Sequence, residues 1–172
     1  MSFSSDVKKE LVEIQVENNC CKKSLLYGMA LFSKNFSYRE VVFQSKSRAT
    51  AELYSSLLKE LCSIKAGIKA SPSGKIYTVS VKKAENVARI MSYFAHDKSE
   101  TSLRINFSNF DCEECQSAFL RGAFLACGAV SSPEKDYHLE FSVPYMNLSK
   151  SLVTALQEKE LAPKVTHRKG YN

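Results

Sequence analysis

Cys21-Lys-Lys-Ser-Leu-Leu-Tyr-Gly-Met-Ala-Leu-Phe-Ser33 and Cys115-Gln-Ser-Ala-Phe-Leu-Arg-Gly-Ala-Phe-Leu-Ala-Cys127 decide how this chain folds. A shift of 94 residues lays one over the other and matches Cys21, Leu26, Gly28 and Leu31 with Cys115, Leu120, Gly122 and Leu125. Both stretches read as helices. A glycine inside a helix costs about 1 kcal/mol relative to alanine, so it is kept best where another backbone comes close. Small residues recur at every fourth position: Ser24 and Gly28 in the first stretch, Ala118, Gly122 and Ala126 in the second. Such ridges let two helices pack at short axial distance. The expectation is a helix–helix interface on these five residues, crossing on a pseudo-twofold axis.

Working outward, the same order of elements follows each stretch. An opening helix over residues 4–18 carries Val7, Leu11 and Ile14 at helical spacing. The first glycine helix spans about 20–33. A strand is expected at 38–46 and an amphipathic helix at 49–62, with Leu53, Leu57 and Leu61 on one face. Alternation over 64–70, the turn Ser71-Pro72-Ser73-Gly74 and a strand at 76–82 predict a hairpin, closed by a helix at 84–94. A polar connection over 96–111 leads to a helix at 112–128, a strand at 137–143, a helix at 145–159 and a strand at 164–168. Two halves are therefore expected, residues 1–100 and 101–172. By the repeat, the second half stops at Arg168-Lys-Gly-Tyr-Asn172, before its last strand and helix. The terminal strand is then expected to be poorly held.

The 172 residues are 44% apolar and 24% charged, a composition typical of soluble globular proteins. No apolar run approaches the roughly 20 residues of a membrane helix. The opening MSFSSDVKKE has no signal-peptide core. A cytoplasmic protein without membrane association is expected, and its six cysteines are then expected as reduced thiols. The net charge of +6 is unevenly spread: residues 1–100 hold 16 Lys/Arg against 10 Asp/Glu, and residues 101–172 hold 8 against 8. That imbalance suits a polyanionic partner, most simply double-stranded DNA.

The clearest basic feature is the hairpin. No acid occurs from Leu61 to Ala84, while Lys65, Lys69, Lys75, Lys82 and Lys83 do. These five are the candidate DNA-backbone contacts, which would position a duplex without reading its sequence. Strand alternation puts Lys65 and Lys69 on one face, opposite Ile64, Ala66 and Ile68. Lys75 and Lys82 fall on opposite parity, so all five cannot share one face without a bulge. The competing reading is a solvated hairpin whose lysines protect a sheet edge.

Chemistry-bearing motifs are few. His96, His138 and His167 are scattered without metal-ligand spacing, and no phosphate-cradling glycine loop occurs. Cys112-Glu-Glu-Cys115 is a C-x2-C pair that the repeat sets beside Cys20-Cys21, and tetrahedral zinc accepts four thiolates. Adjacent cysteines point apart, and free cysteine is a common buried small hydrophobe. The bland reading is preferred, and neither a metal nor a cofactor is expected.

The segments Leu26-Tyr-Gly-Met-Ala-Leu-Phe-Ser-Lys34 and Leu120-Arg-Gly-Ala-Phe-Leu-Ala-Cys-Gly128 resemble the two LAGLIDADG helices of homing endonucleases. Met1-Ser-Phe-Ser-Ser-Asp-Val-Lys-Lys-Glu-Leu11, Cys20-Cys21, Leu120-Arg-Gly-Ala-Phe-Leu-Ala126, Tyr137-His-Leu-Glu140 and Arg168-Lys-Gly-Tyr171 add a resemblance to the N-terminal part of WhiA, a family of bacterial sporulation and cell-division regulators. The resemblance spans nearly the whole chain. It implies an α/β (α+β) fold, a degenerate double LAGLIDADG domain of two pseudo-symmetric halves with saddle-like sheets. It also implies a C-terminal helix-turn-helix domain that these 172 residues do not include.

In a LAGLIDADG nuclease, an acid one residue before each final glycine position holds divalent metal. The matching positions here are Ser33 and Cys127. Neither is a hard oxygen anion, and Lys34 beside Ser33 repels a cation. No Asp or Glu lies between Glu17 and Glu40 or between Glu114 and Glu134. The resemblance thus implies a non-enzymatic, DNA-binding transcriptional regulator of sporulation and cell division, with no catalytic residue in this domain. The alternative is a protein-interaction scaffold for the transcription or division machinery, with DNA bound only by the helix-turn-helix domain.

Overall fold

The computed structural model describes residues 2–168. Two helices form its centre, α2 (Asn19–Leu31) and α5 (Cys115–Cys127). Every residue from Ser24 to Leu31 is buried, so α2 has no solvent stripe. The two run side by side with their N-termini at the same end. A Cβ on Gly28 would press into the Phe119 carbonyl oxygen and stand 2.8 Å from Ala123 N. A Cβ on Gly122 would press into the Leu25 carbonyl oxygen and stand 2.9 Å from Met29 N. Each pair maps onto the other under the 94-residue shift, so the contact is its own image. Any side chain at either glycine meets backbone, which cannot rotate away. Ser24 and Ala118 are buried beside this seam, while Ala126 is half-buried near its end.

Around the seam the chain lays down its remaining elements. α1 (Phe3–Glu13) starts at Ser2, whose hydroxyl accepts from Ser5 N–H at 3.1 Å. It sits half-buried through Val7, Lys8 and Leu11, and Ile14 is exposed just past its end. The first half carries a four-stranded antiparallel sheet of β1 (Asn35–Phe36), β2 (Val41–Ser45), β3 (Ile68–Ala70) and β4 (Tyr77–Val81), in the order β1-β2-β4-β3. Helix α3 (Arg48–Cys62) is capped by the Ser47 hydroxyl, which accepts from Thr50 N–H at 3.2 Å. It ends at Ser63 in the left-handed region, φ 56°. Helix α4 (Ala84–Tyr93) closes the half. The second half places β5 (Gly128–Val130) against β6 (Leu139–Phe141) and adds α6 (Met146–Glu158).

One face of the larger sheet is core. Val41 pairs with Val81 and Phe43 with Val79, all four buried, and Phe43 stacks on Tyr54 of α3 at 4.4 Å. Among the described residues no helix is long and apolar enough to cross a membrane.

Several elements depart from the pattern read in the sequence. β3 begins at Ile68, not residue 64: Ile64 is buried beneath the left-handed turn at Ser63, and the Ser55 hydroxyl donates to Ala66 O at 2.6 Å. Both groups hold the chain off the sheet. The short strands β1 and β5 are additions, set directly after the seam helices where two or three residues carry no readable period. The strand at 137–143 contracts to β6. No strand forms over 164–168, where only Arg168 makes a bridge and Val165 is exposed. Residues 169–172, at which the repeat stops the second half, lie outside the described residues.

Candidate nucleic-acid interface

Antiparallel register fixes what the sheet shows to solvent. With Val79, Val81, Val41 and Phe43 facing the core, Gln44, Thr78, Ser80 and Lys69 take the other parity, together with Val42, which is buried. Lys69 pairs with Thr78, and the Gln44 amide donates to the Thr78 hydroxyl at 3.2 Å. Continuing the alternation by one step past each strand end puts Lys46 and Lys82 on this same outer face. Lys46, Lys69 and Lys82 are all exposed.

The five lysines singled out from the hairpin separate in the structure. All are exposed. Lys65 lies before β3 and Lys75 in the turn, so neither has a strand-fixed face. The sequence reading paired Lys65 with Lys69; the late start of β3 removes that pairing. Lys82 stands 3.8 Å from Glu40 and Lys83 2.7 Å from Glu85. Lys69, Lys65 and Lys75 hold no ion pair among the described residues. Lys46 was missed because the reading began at residue 61; extending the parity of β2 finds it.

The C-terminal end of the seam lies next to this face. Cys127 closes α5, and Lys8 of α1 packs there with its ammonium 5.4 Å from the Phe124 ring centroid. Burial lowers the Lys8 pKa, offset by Cys127 and reinforced by Lys46. Burial pushes the Cys127 thiol up to about 12, against Lys8 and the Ser142 N–H, so it stays neutral. Ser33, past the end of α2, donates its hydroxyl to Asn35 O at 3.1 Å. Ser33 and Cys127 themselves present no hard oxygen anion to a divalent metal. The carboxylate of Glu40 lies beyond Asn35, accepting from its side-chain amide at 3.0 Å and standing 3.8 Å from Lys82.

The opposite end of the seam is chemically different. The sulfurs of Cys20, Cys21, Cys112 and Cys115 all lie within 4.8 Å of one another. Cys112 Sγ is 3.6 Å from Cys20, 3.5 Å from Cys21 and 3.5 Å from Cys115. Burial would raise the Cys115 thiol, but the Ser24 hydroxyl and the N–H groups of Cys112 and Asp111 outweigh it and bring it down to about 7. Burial and its neighbour thiols push Cys21 well up. Two adjacent cysteines converge here because they occupy the first turn of α2, where side chains lean past the helix end.

His96 is also buried, at 8% exposure. It bonds Tyr27 Oη at 2.7 Å through Nε2 and Glu100 at 3.0 Å through Nδ1. This trio fastens the 96–111 connection to α2, with Asn106 N–H donating to the Tyr27 hydroxyl at 2.8 Å.

A model of the WhiA LAGLIDADG-like domain matches residues 33–104 and 116–172. The chain belongs to this family. Its relatives include proteins named "Probable cell division protein WhiA". That of Ruminiclostridium cellulolyticum is 28% identical over 180 residues, covering 99% of this chain and 58% of the relative. That of Syntrophomonas wolfei is 30% identical over 191 residues, covering 99% and 59%. The chain thus spans somewhat under three-fifths of the length of these WhiA relatives. Among solved structures, the N-terminal LAGLIDADG domain of DUF199/WhiA superposes with a TM-score of 0.71 at 20% identity, covering 99% of this chain and 82% of that one. The homing endonuclease fold of I-DmoI, solved in complex with DNA and Mn, superposes with a TM-score of 0.53 at 19% identity, covering 90% and 88%. The fold is the double LAGLIDADG architecture that the glycine helices imply.

Proposed function

We propose that this chain is the catalytically inactive LAGLIDADG-like domain of a cytoplasmic, DNA-binding regulator of transcription in sporulation and cell division. The observation that carries the reading is the C-terminal end of the seam. There, Ser33 and Cys127 stand at the positions that are acidic in a LAGLIDADG nuclease, and Lys8 packs against Cys127. A nuclease needs carboxylates there to hold metals that activate water and steady the leaving oxygen. Cations in their place attract phosphate and repel Mg²⁺ or Mn²⁺. The outer face extends the same charge through Lys46 and Lys69, with Gln44, Thr78 and Ser80 as hydrogen-bonding groups between them. Lysines of this kind grip the backbone and leave sequence reading to other parts of a protein. The fold's likeness to I-DmoI, solved in complex with DNA, supports DNA as the partner.

A second reading, a protein-docking scaffold, draws on one observation. Tyr137, Leu139, Tyr145 and Met146 are exposed around β6, with Tyr137 89% accessible. Such a patch fits a protein partner. Incubation with supercoiled plasmid and Mg²⁺ or Mn²⁺ tests the first reading. Retarded but uncut DNA is expected; nicking or linearisation that follows the purified chain contradicts inactivity.

A further inference from the structure

Cysteine as a small hydrophobe accounts for buried Cys62 and half-buried Cys127, which lie outside the thiol cluster, but not for four sulfurs that converge. Two of the four come from the first turn of α2 and two from the turn that starts α5, where Cys115 N–H donates to Cys112 O at 3.1 Å. Zn–S bonds of about 2.3 Å in a tetrahedron set the sulfurs roughly 3.8 Å apart. The three separations from Cys112, 3.5–3.6 Å, approach that edge length, and all four sulfurs lie within 4.8 Å of one another. We infer that Cys20, Cys21, Cys112 and Cys115 form a tetrathiolate site for one zinc ion, which staples the two halves together at the N-terminal end of the seam.

The surroundings suit thiolates. Both helices point their N-termini, with partial positive charge, at the cluster. Arg121 approaches Cys21, and its Nε is buried with no hydrogen-bond partner. A guanidinium there offsets part of the net negative charge of a four-thiolate zinc site. An open cleft of about 460 Å³, lined by Cys21, Asn18, Glu114 and Arg121, gives an ion access.

Other fates of the thiols fit less well. A disulfide selects one pair, whereas Cys112 is equally near all three neighbours. A four-iron cluster binds each cysteine to a different iron and so spreads the sulfurs beyond this spacing. The site is soft and closed, and so structural in character. It stands independently of any role in DNA binding.

The test is metal analysis of the untagged chain purified under reducing conditions, followed by replacement with Co²⁺. About one zinc per chain is expected. Co²⁺ should give the visible bands of a tetrahedral tetrathiolate. Cys112→Ser and Cys115→Ser should each lose those bands, and Cys62→Ser should keep them. A folded wild-type chain with four freely reactive thiols and no cobalt bands overturns the proposal, whatever the variants do. So does iron in place of zinc, a disulfide among the four, or zinc retained after both Cys112 and Cys115 are replaced.

Discussion

The two ends of one helix pair hold opposite chemistries. At the N-terminal end four thiols gather beneath two positive helix ends. At the C-terminal end Lys8 packs at Cys127, Lys46 lies near it, and no carboxylate stands at Ser33 or Cys127. Each end follows its helix dipole: thiolates are favoured where the partial charge is positive and ammonium groups where it is negative. Hard-metal hydrolysis needs anionic oxygens at the C-terminal end, and neither Ser33 nor Cys127 supplies one. Between the ends, the Gly28–Gly122 crossing is common property, and it keeps both in register.

The helix pair is most sensitive to change at its middle. Gly28→Ala combined with Gly122→Ala drives two methyl groups into backbone and should remove about 5 kcal/mol or more of stability. Chemical denaturation of the purified variant measures it; a change under about 1 kcal/mol would mean the seam can widen freely. Stripping metal with a strong chelator comes next. Loss of a tight ligand is worth about 4 kcal/mol, or roughly a 10 °C fall in Tm for a chain this long. Salt-dependent DNA binding measured below that Tm should survive, because the cations sit at the other end. Lys46→Glu with Lys69→Glu should weaken duplex binding about tenfold and flatten its salt slope by about 2, leaving metal content unchanged. The smallest effect is expected for Lys8→Met, which keeps the stem packed on Phe124. Stability should shift by less than about 1 kcal/mol, while DNA affinity falls severalfold.

How much of this was legible follows from what each residue advertises. Gly28 and Gly122 announce themselves because glycine inside a helix is costly and the 94-residue repeat marks both. The thiol cluster was only half legible: C-x2-C is readable, but Cys20-Cys21 looks divergent until both residues fall in the first turn of α2. The lysine face was misassigned at one position and missed at another. Ile64 alternates like a strand residue yet is buried off the sheet beneath Ser63, so Lys65 lost its place. Lys46 gained one because β2 pairs with β4, a contact that no local period reveals. The strand expected at 164–168 had alternation but, among the described residues, no partner strand beyond the single bridge at Arg168.

The proposed role is electrostatic: a LAGLIDADG-like domain of the WhiA family without nuclease activity still holds duplex DNA. Fluorescence anisotropy of the chain with a labelled duplex across a salt series tests it most directly, with Lys46→Glu/Lys69→Glu alongside. Binding at low salt is expected to fall steeply as salt rises and to be weaker in the variant. No binding at low salt by a folded chain, or binding indifferent to both salt and charge reversal, would contradict it.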